Sequence, residues 1–293
     1  MLLKGLARLI NDMTLDHKEL ISREQVEAFR KDGVIVVRQA IDRAGVIALR
    51  NAIERDIQRP GPFVHSYTPQ DGRGRFYGNL RTWETDSTFR HFCFESSLPA
   101  MTASLLETDR VNLLYDQLFV KEPATQNSTR WHNDQPYWAV RGWQVMSFWI
   151  ALDPVTRKSG ALEFIRGSHR WARWFQPQAF GETDGFDDYD DNPNYELTPD
   201  IENDRTDYDI VSWELAPGDV YAFHALTLHS AGGNLMERVR RRGYAVRYTG
   251  DDAVYDTRPG THVDLRSDNH IDGQRLDSDR FPLVWPHSSR LDG

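Results

Sequence analysis

Apolar positions along this chain follow two rhythms, one before Arg110 and one after it. The segment Ser22 to Lys31 has helical spacing, and Ser22 with Gln25 three residues later forms a capping-box signature. Asp32-Gly33 stops that helix, and Val34-Ile35-Val36-Val37 reads as a β-branched strand. A second helix is predicted over Arg43 to Arg59, ending before Pro60-Gly61. A third is predicted over residues 96–107, with Pro99 near its start.

After Arg110 the pattern becomes that of strands separated by Gly and Pro turns. Val111 to Lys121, Val145 to Leu152, and Ala161 to Ile165 after the turn Lys158-Ser159-Gly160 are three of them. Val211 to Leu215 leads through Pro217-Gly218-Asp219 into Val220 to His224, and Gly243 to Tyr248 is the last. Short strands with helices gathered ahead of them predict an all-β sandwich or barrel carrying helices at one end. Residues 176–209 break the pattern: Asp, Glu, Asn and Pro dominate around Asp187-Asp188-Tyr189-Asp190-Asp191. Such a run reads as a solvated surface insertion, or as a lid over a pocket mouth. The Asp-x-Asp-x-Asp-Gly spacing of a calcium loop is absent from it.

Composition narrows the function classes. A chain of 293 residues can hold one large domain or two small ones, and 39% hydrophobic content supports a substantial core. The net charge of −9 argues against broad binding to nucleic acid or to an anionic membrane, both of which require a basic face. A single cysteine, Cys93, excludes an internal disulfide and fits a cytoplasmic location. The opening run Met1-Leu2-Leu3-Lys4-Gly5-Leu6-Ala7-Arg8 lacks the continuous apolar stretch of a signal peptide, and no segment approaches membrane-spanning length. No internal repeat is visible, and no obligate protein partner is evident.

The chemistry concentrates in Trp131-His132-Asn133-Asp134-Gln135-Pro136 and in the distant His229. Two imidazoles and one carboxylate form the facial ligand set of mononuclear non-haem Fe(II), which keeps positions open for cosubstrate and oxygen. In an extended strand, residues i and i+2 share a face, so His132 and Asp134 can converge while Asn133 points away. A third ligand from another strand accounts for the sequence distance to His229. By itself His-x-Asp is a weak signal among 10 histidines, and its bland reading is a surface or core tripeptide.

The stretch from Asn112 to Tyr248 resembles the phytanoyl-CoA dioxygenase family of Fe(II)/2-oxoglutarate-dependent oxygenases. Trp131 to Asp134 is similar to the family's His-x-Asp segment. Gly160-Ala161-Leu162 through Ile165-Arg166-Gly167-Ser168-His169 is similar to its Gly-x-Leu…Pro-Gly-Ser-His segment, with Arg166 replacing Pro. Pro217-Gly218-Asp219, Phe223-His224 and Leu228 to Asn234 resemble the stretch around the distal His, and Arg241 to Tyr248 resembles the basic strand that follows.

The resemblance implies a mainly β fold, a double-stranded β-helix or cupin-like jelly roll with supporting N-terminal helices. It implies one oxygenase domain over 1–293: helical support over 1–110, the jelly-roll core over 111–250 with the acidic insertion 176–209, and a C-terminal extension over 251–293. His132, Asp134 and His229 would be the catalytic iron ligands, and Arg241 would pair with the far carboxylate of 2-oxoglutarate. The family spacing from the distal His selects Arg240, whereas counting back from Arg247-Tyr248 selects Arg241. Arg241 is preferred because strand parity puts the small residues Gly243 and Ala245 on its face. Gln117 and Trp149 match positions near the cosubstrate, Trp149 being as readily a core aromatic. Asn79 and Arg81 are weaker candidates, and His169 and His224 read as structural.

The implied reaction consumes O₂ and 2-oxoglutarate, releases succinate and CO₂, and hydroxylates an unactivated C–H bond of a small molecule, with ascorbate as a supporting reductant. A carboxylate at Asp134 fills the place that related halogenases leave for halide, which favours hydroxylation. Tyr137, Trp138, Trp143 and the acidic insertion are candidate pocket-entrance residues, and aromatics with carboxylates suit an amine or quaternary cation. The competing readings are a catalytically inactive jelly-roll small-molecule-binding protein, and a cupin-like hydrolase or isomerase. The latter ordinarily begins its ligand set with His-x-His.

Overall fold

The computed structural model describes residues 20–68, 74–178 and 192–286. The opening run at Met1 and the acidic centre Asp187 to Asp191 lie outside the described residues. Helix α1 (Arg23–Asp32) begins where the capping box predicts: Ser22 Oγ accepts from Gln25 N–H, and the Gln25 side chain accepts from Ser22 N–H. Strand β1 (Val34–Val37) follows. Helix α2 (Arg43–Gln58) is capped by Asp42, whose carboxylate accepts from Gly45 N–H at 2.7 Å. A hairpin of β2 (Val64–Tyr67) and β3 (Phe76–Leu80) comes next, then helices α3 (Ser87–Glu95) and α4 (Leu98–Leu106). The sequence reading missed both the hairpin and α3. The α3 segment is rich in aromatic and hydroxyl residues of modest helix propensity. Tertiary burial of Phe89, Phe92 and Cys93 on one side fixes it instead.

The β region runs β4 (Val111–Lys121), β5 (Thr129–His132), β6 (Val140–Arg141), β7 (Val145–Ala151), β8 (Leu162–Ile165), β9 (Ile210–Ser212), β10 (Val220–His224), β11 (His229–Ala231), β12 (Arg241–Thr249), β13 (Val254–Tyr255) and β14 (Leu283–Trp285). The larger sheet has the order β1-β10-β7-β12-β4-β3-β2, with β14 added along β4. The smaller has the order β5-β11-β8-β9, and β13 pairs β6 separately. All named pairings are antiparallel. The predicted run to Leu215 is shorter than expected: β9 ends at Ser212, and Leu215 makes an isolated bridge to Val155.

Side-chain alternation sorts the larger sheet into two faces. Met146, Phe148 and Ile150 of β7, with Tyr244 and Val246 of β12, pack beneath the helices against Leu49, Phe89 and Met101. Trp149, Ala151 and Ala245 point the other way and meet Leu162, Phe164 and Ala231 of the smaller sheet. The β4–β12 register slips once: Arg247 lies opposite Tyr115, but Tyr248 lies opposite Leu113. Leu114 is therefore an extra residue in β4, a bulge that switches the face on which later residues of that strand appear. Beyond it, Tyr115, Gln117, Phe119 and Lys121 all turn toward the smaller sheet, where they line one cavity.

The helical layer reaches the site through Gly33. This residue ends α1 at φ 75°, a left-handed conformation that a side chain disfavours. Its carbonyl accepts from His224 N–H at 2.9 Å and from the Thr227 hydroxyl at 2.9 Å, which ties the helix end to the loop entering β11. A Cβ at this position would lie 2.3 Å from His169 Nδ1 and 2.6 Å from Thr227 Oγ1. Gly33→Ala should therefore cost about 2–4 kcal/mol, combining backbone strain with overpacking. A denaturant midpoint equal to wild type would show that the loop accommodates the methyl without penalty.

Candidate metal centre and its cavity

Antiparallel pairing of β5 with β11 puts His132 directly opposite His229. Their ring centroids are 4.2 Å apart. Asp134 arrives differently from the sequence expectation, because β5 ends at His132 and Asp134 has turn geometry, φ −73° and ψ −40°. The cause is the Ala225 carbonyl, which accepts from both Asp134 N–H (2.9 Å) and Gln135 N–H (3.1 Å) and bends the chain back. Convergence survives this correction. Asp134 Oδ1 lies 3.4 Å from His132 Nε2 and 3.7 Å from His229 Nε2. Asn133 points elsewhere and donates to the Arg173 carbonyl. One ligand atom from each of His132, Asp134 and His229 lies within 4.8 Å of the others, and all three residues are buried.

Hydrogen bonds around the triad set its protonation. His132 Nδ1 faces the Arg130 carbonyl at 2.8 Å, and His229 Nδ1 faces the Thr227 carbonyl at 3.0 Å. A carbonyl only accepts, so each Nδ1 carries hydrogen, and each Nε2 presents a lone pair toward the carboxylate. Burial, then the neighbouring His132, pulls the His229 pKa down to about 4, so its ring is neutral at pH 7. Burial pushes the Asp134 carboxyl upward. The polar contacts with His229 and His132 and the charge of Arg247 outweigh that push and hold it well below the usual range. Ser147 donates to Asp134 Oδ2 at 3.0 Å, which leaves Oδ1 turned toward the imidazoles. The donor set fits a borderline divalent metal that retains exchangeable positions.

A second group, His65, His262 and Asp264, also brings ligand atoms within 4.8 Å. The Nδ1 lone pair of His262 is engaged by Asp264 N–H at 3.1 Å, so this group is the poorer donor set.

The triad opens into a cavity between the two sheets, lined also by Gln117, Trp149, Arg241 and Ala245. Arg241 is buried, its Nε donates weakly to the Ser159 carbonyl at 3.3 Å, and its Nη2 has no hydrogen-bond partner. Burial pulls its pKa down to about 10, so it remains a cation. Its guanidinium carbon sits 5.3 Å from the Trp149 ring centroid. Gly243 makes this stacking feasible, since a Cβ there would lie 2.1 Å from Trp149 Cζ2. The neighbouring arginines face away from this space. Arg240 pairs with Glu54 at 2.7 Å and Glu122 at 2.6 Å, and Arg242 pairs with Asp153 at 2.8 Å. Lys121, opposite Arg241 in the β4–β12 register, donates to the Gly232 carbonyl at 2.7 Å and also lines the cavity.

Other sequence candidates fall outside the cavity lining. Asn79 donates to Asp56 at 2.8 Å, and Arg81 pairs with Glu84 at 2.8 Å. His224 hydrogen-bonds the Trp143 carbonyl and His169 the Arg30 carbonyl. Two of the three proposed entrance aromatics need correction. Trp138 is buried and donates to the Tyr115 hydroxyl, behind the cavity wall. Trp143 lies on a turn over His224; Tyr137 packs edge-on against the His132 ring, with centroids 5.7 Å apart, and donates to the Gln178 carbonyl. Of the acidic insertion, Ile201 packs with Trp131, and Glu202 accepts from the Trp131 indole at 2.6 Å, so part of it braces β5. Sequence reasoning overlooked Lys121 and Arg247 as lining residues. Parity with Gln117 and with Arg241 would have found both.

The family model described as phytanoyl-CoA dioxygenase (PhyH) matches residues 29–243. A probable phytanoyl-CoA dioxygenase of Caenorhabditis elegans is 21% identical over 290 residues, covering 93% of this chain and 89% of its own. Among solved structures, the non-heme alpha ketoglutarate dependent carbocyclase SnoK from nogalamycin biosynthesis has a TM-score of 0.69 at 22% identity, covering 91% of this chain and 97% of that one. The epimerase SnoN, solved in complex with Fe3+, alpha ketoglutarate and nogalamycin RO, has a TM-score of 0.66 at 22% identity, covering 88% and 96%. These structural likenesses speak for the fold, a mainly β cupin-like jelly roll. With the family match spanning most of its length, the chain belongs to the phytanoyl-CoA dioxygenase (PhyH) family of 2-oxoglutarate-dependent dioxygenases.

Proposed function

We propose that the protein binds Fe(II) through His132, Asp134 and His229 and uses 2-oxoglutarate to hydroxylate an unactivated C–H bond of a small molecule. The observation that carries this reading is the pair of imidazole nitrogens and one carboxylate oxygen gathered in a cavity that also holds a buried guanidinium with no counter-ion among the described residues. Ferrous iron with 2-oxoglutarate and O₂ supplies the oxidising chemistry, releasing succinate and CO₂ as one oxygen atom enters the substrate. The chain's own groups do the rest. The Arg130 and Thr227 carbonyls hold both imidazoles in the ligating tautomer, and Ser147 orients the carboxylate.

Arg241 receives the far carboxylate of 2-oxoglutarate. An unpaired buried guanidinium is costly, and a bidentate carboxylate removes that cost. The Trp149 ring fixes its height above the sheet, and the Gln117 amide offers a further donor on the same wall. Enclosure between two sheets excludes water from the reacting centre. The whole chain, 1–293, acts in this reading as one oxygenase domain in which the helices brace the larger sheet.

Purified protein supplied with Fe(II), ascorbate and 2-oxoglutarate is expected to form succinate. His132→Ala should weaken iron binding by more than about 100-fold and abolish that turnover. Undiminished iron content and succinate formation in this variant would refute the triad. A second comparison concerns the cosubstrate end. Arg241→Ala should raise the 2-oxoglutarate KM by roughly 30-fold or more, equivalent to about 2 kcal/mol. Arg240→Ala, which breaks pairs with Glu54 and Glu122 outside the cavity, should shift it by no more than about twofold. The opposite order would assign the carboxylate to Arg240.

A further inference from the structure

Arg247 is a second buried guanidinium in the cavity, and nothing in the reaction described above uses it. It lies on β12 on the same face as Arg241, Gly243 and Ala245, opposite Tyr115 on β4 and Ser147 on β7. It is 5% exposed. Its Nε and Nη1 have no hydrogen-bond partner, and among the described residues no carboxylate comes within ion-pair distance of it. Aromatic rings hold its carbon stem and plane: the guanidinium carbon is 4.5 Å from the Tyr115 centroid, 5.7 Å from Phe119 and 5.9 Å from Trp138. Those contacts orient the fork without satisfying its N–H donors. Ser147, which faces Arg247 across the β7–β12 pairing, donates to Asp134 at 3.0 Å, and Arg247 lines the same cavity as the triad, so the fork sits near the metal centre.

The charges of the cavity point in one direction. Asp134 is the one carboxylate among its described lining residues, against the guanidinium cations Arg241 and Arg247; burial and the neighbouring Arg241 pull the Lys121 pKa well down, so its charge is not counted with theirs. On the oxygenase reading, Fe(II), Asp134 and dianionic 2-oxoglutarate together carry one negative charge, and Arg241 balances it. The near carboxylate of the cosubstrate belongs to the metal and the far one to Arg241. Arg247 is then a fixed, dehydrated cation with free donors and no assigned anion. Burying such a group is unfavourable unless a ligand supplies the partner.

We propose that the substrate is an organic acid whose carboxylate is bound by Arg247, which sets the bond to be oxidised beside the metal. This inference rests on the oxygenase reading. It departs from the expectation of a cationic substrate, because the described lining of the cavity carries more cationic than anionic groups. A planar carboxylate accepts two parallel N–H bonds from a guanidinium, whereas an amide or amine of the same shape leaves donors unmet. Arg247 thus acts as the specificity determinant at the substrate end, as Arg241 does at the cosubstrate end.

The test uses the full chain under anaerobic conditions with Fe(II) and 2-oxoglutarate. The probes are matched pairs of aromatic and aliphatic carboxylic acids with their primary amides, and calorimetric Kd is the readout. Wild type should bind the better acids at least about tenfold more tightly than their amides. Arg247→Met, which keeps the stem between the rings, should reduce that ratio to about twofold or less, and Arg247→Lys should restore part of it. The acid Kd should change far more than the 2-oxoglutarate Kd.

A wild type with equal affinity for acids and amides overturns the inference, as does an acid preference that persists in Arg247→Met. A variant that loses 2-oxoglutarate more than it loses acids also overturns it, by giving Arg247 to the cosubstrate. Thermal midpoints are measured alongside, and Arg247→Gln replaces Arg247→Met if the latter does not fold. Wild type that binds no 2-oxoglutarate with iron would refute the oxygenase reading itself. Binding of 2-oxoglutarate without acid preference would refute this inference alone.

Discussion

The site depends on the register of two short strands. β5 and β11 pair so that His132 and His229 stand opposite each other, and the Ala225 carbonyl turns the chain at Asp134 back toward them. Side chains alternate faces along a strand, so a slip of one residue would send one imidazole out of the cavity. Several contacts outside the triad hold this register. Leu228 N–H donates to Ser168 Oγ, Ile165 N–H donates to the Leu228 carbonyl, and Thr227 is tied to Gly33 at the end of α1. The helical layer, which contributes none of the triad, therefore acts on the metal centre through the backbone of the loop before β11.

The larger sheet contributes charge where the smaller contributes ligands. Its cavity face carries Lys121, Arg241 and Arg247 among aromatic and small residues, while its opposite face packs an apolar core against the helices, where Asp116, which is buried, and Arg242 each have hydrogen-bond partners. Alternation along the strands is what allows one sheet to serve as core and as electrostatic wall. Low dielectric between the sheets strengthens every interaction with an anion there. It also explains why Arg240 and Arg242, on the other side, are matched to Glu54, Glu122 and Asp153, whereas Arg241 is not. A chain with net charge −9 thus encloses a cavity of the opposite sign.

Much of the architecture was legible in the residues. The capping box of α1 and the strands Val34–Val37, Val111–Lys121 and Val220–His224 coincide with their sequence signals, because cap chemistry and alternation are local. α3 and the β2–β3 hairpin left weak signals, since contacts with distant strands stabilise them. The bulge at Leu114 was equally hidden, for nothing near it in sequence marks where pairing with β12 must slip. Two of the entrance aromatics were misread for a related reason. Trp138 and Trp143 follow the His-x-Asp segment closely, but the turn at Asp134 carries them behind or away from the cavity, while Tyr137 stays against the His132 ring.

Residue type and spacing by themselves determined the donor inventory: two histidines, one aspartate and a basic strand with small residues at alternate positions. They also determined which face Arg241 shares with Gly243 and Ala245, because side chains alternate in any extended backbone. Only the tertiary structure decided that Asp134 reaches its neighbours through a turn, that Arg240 and Arg242 are neutralised by acids far away in the chain, and that Arg247 is left buried with open donors. Those outcomes depend on which distant groups pack together, and packing across two sheets is not encoded in any local stretch of sequence.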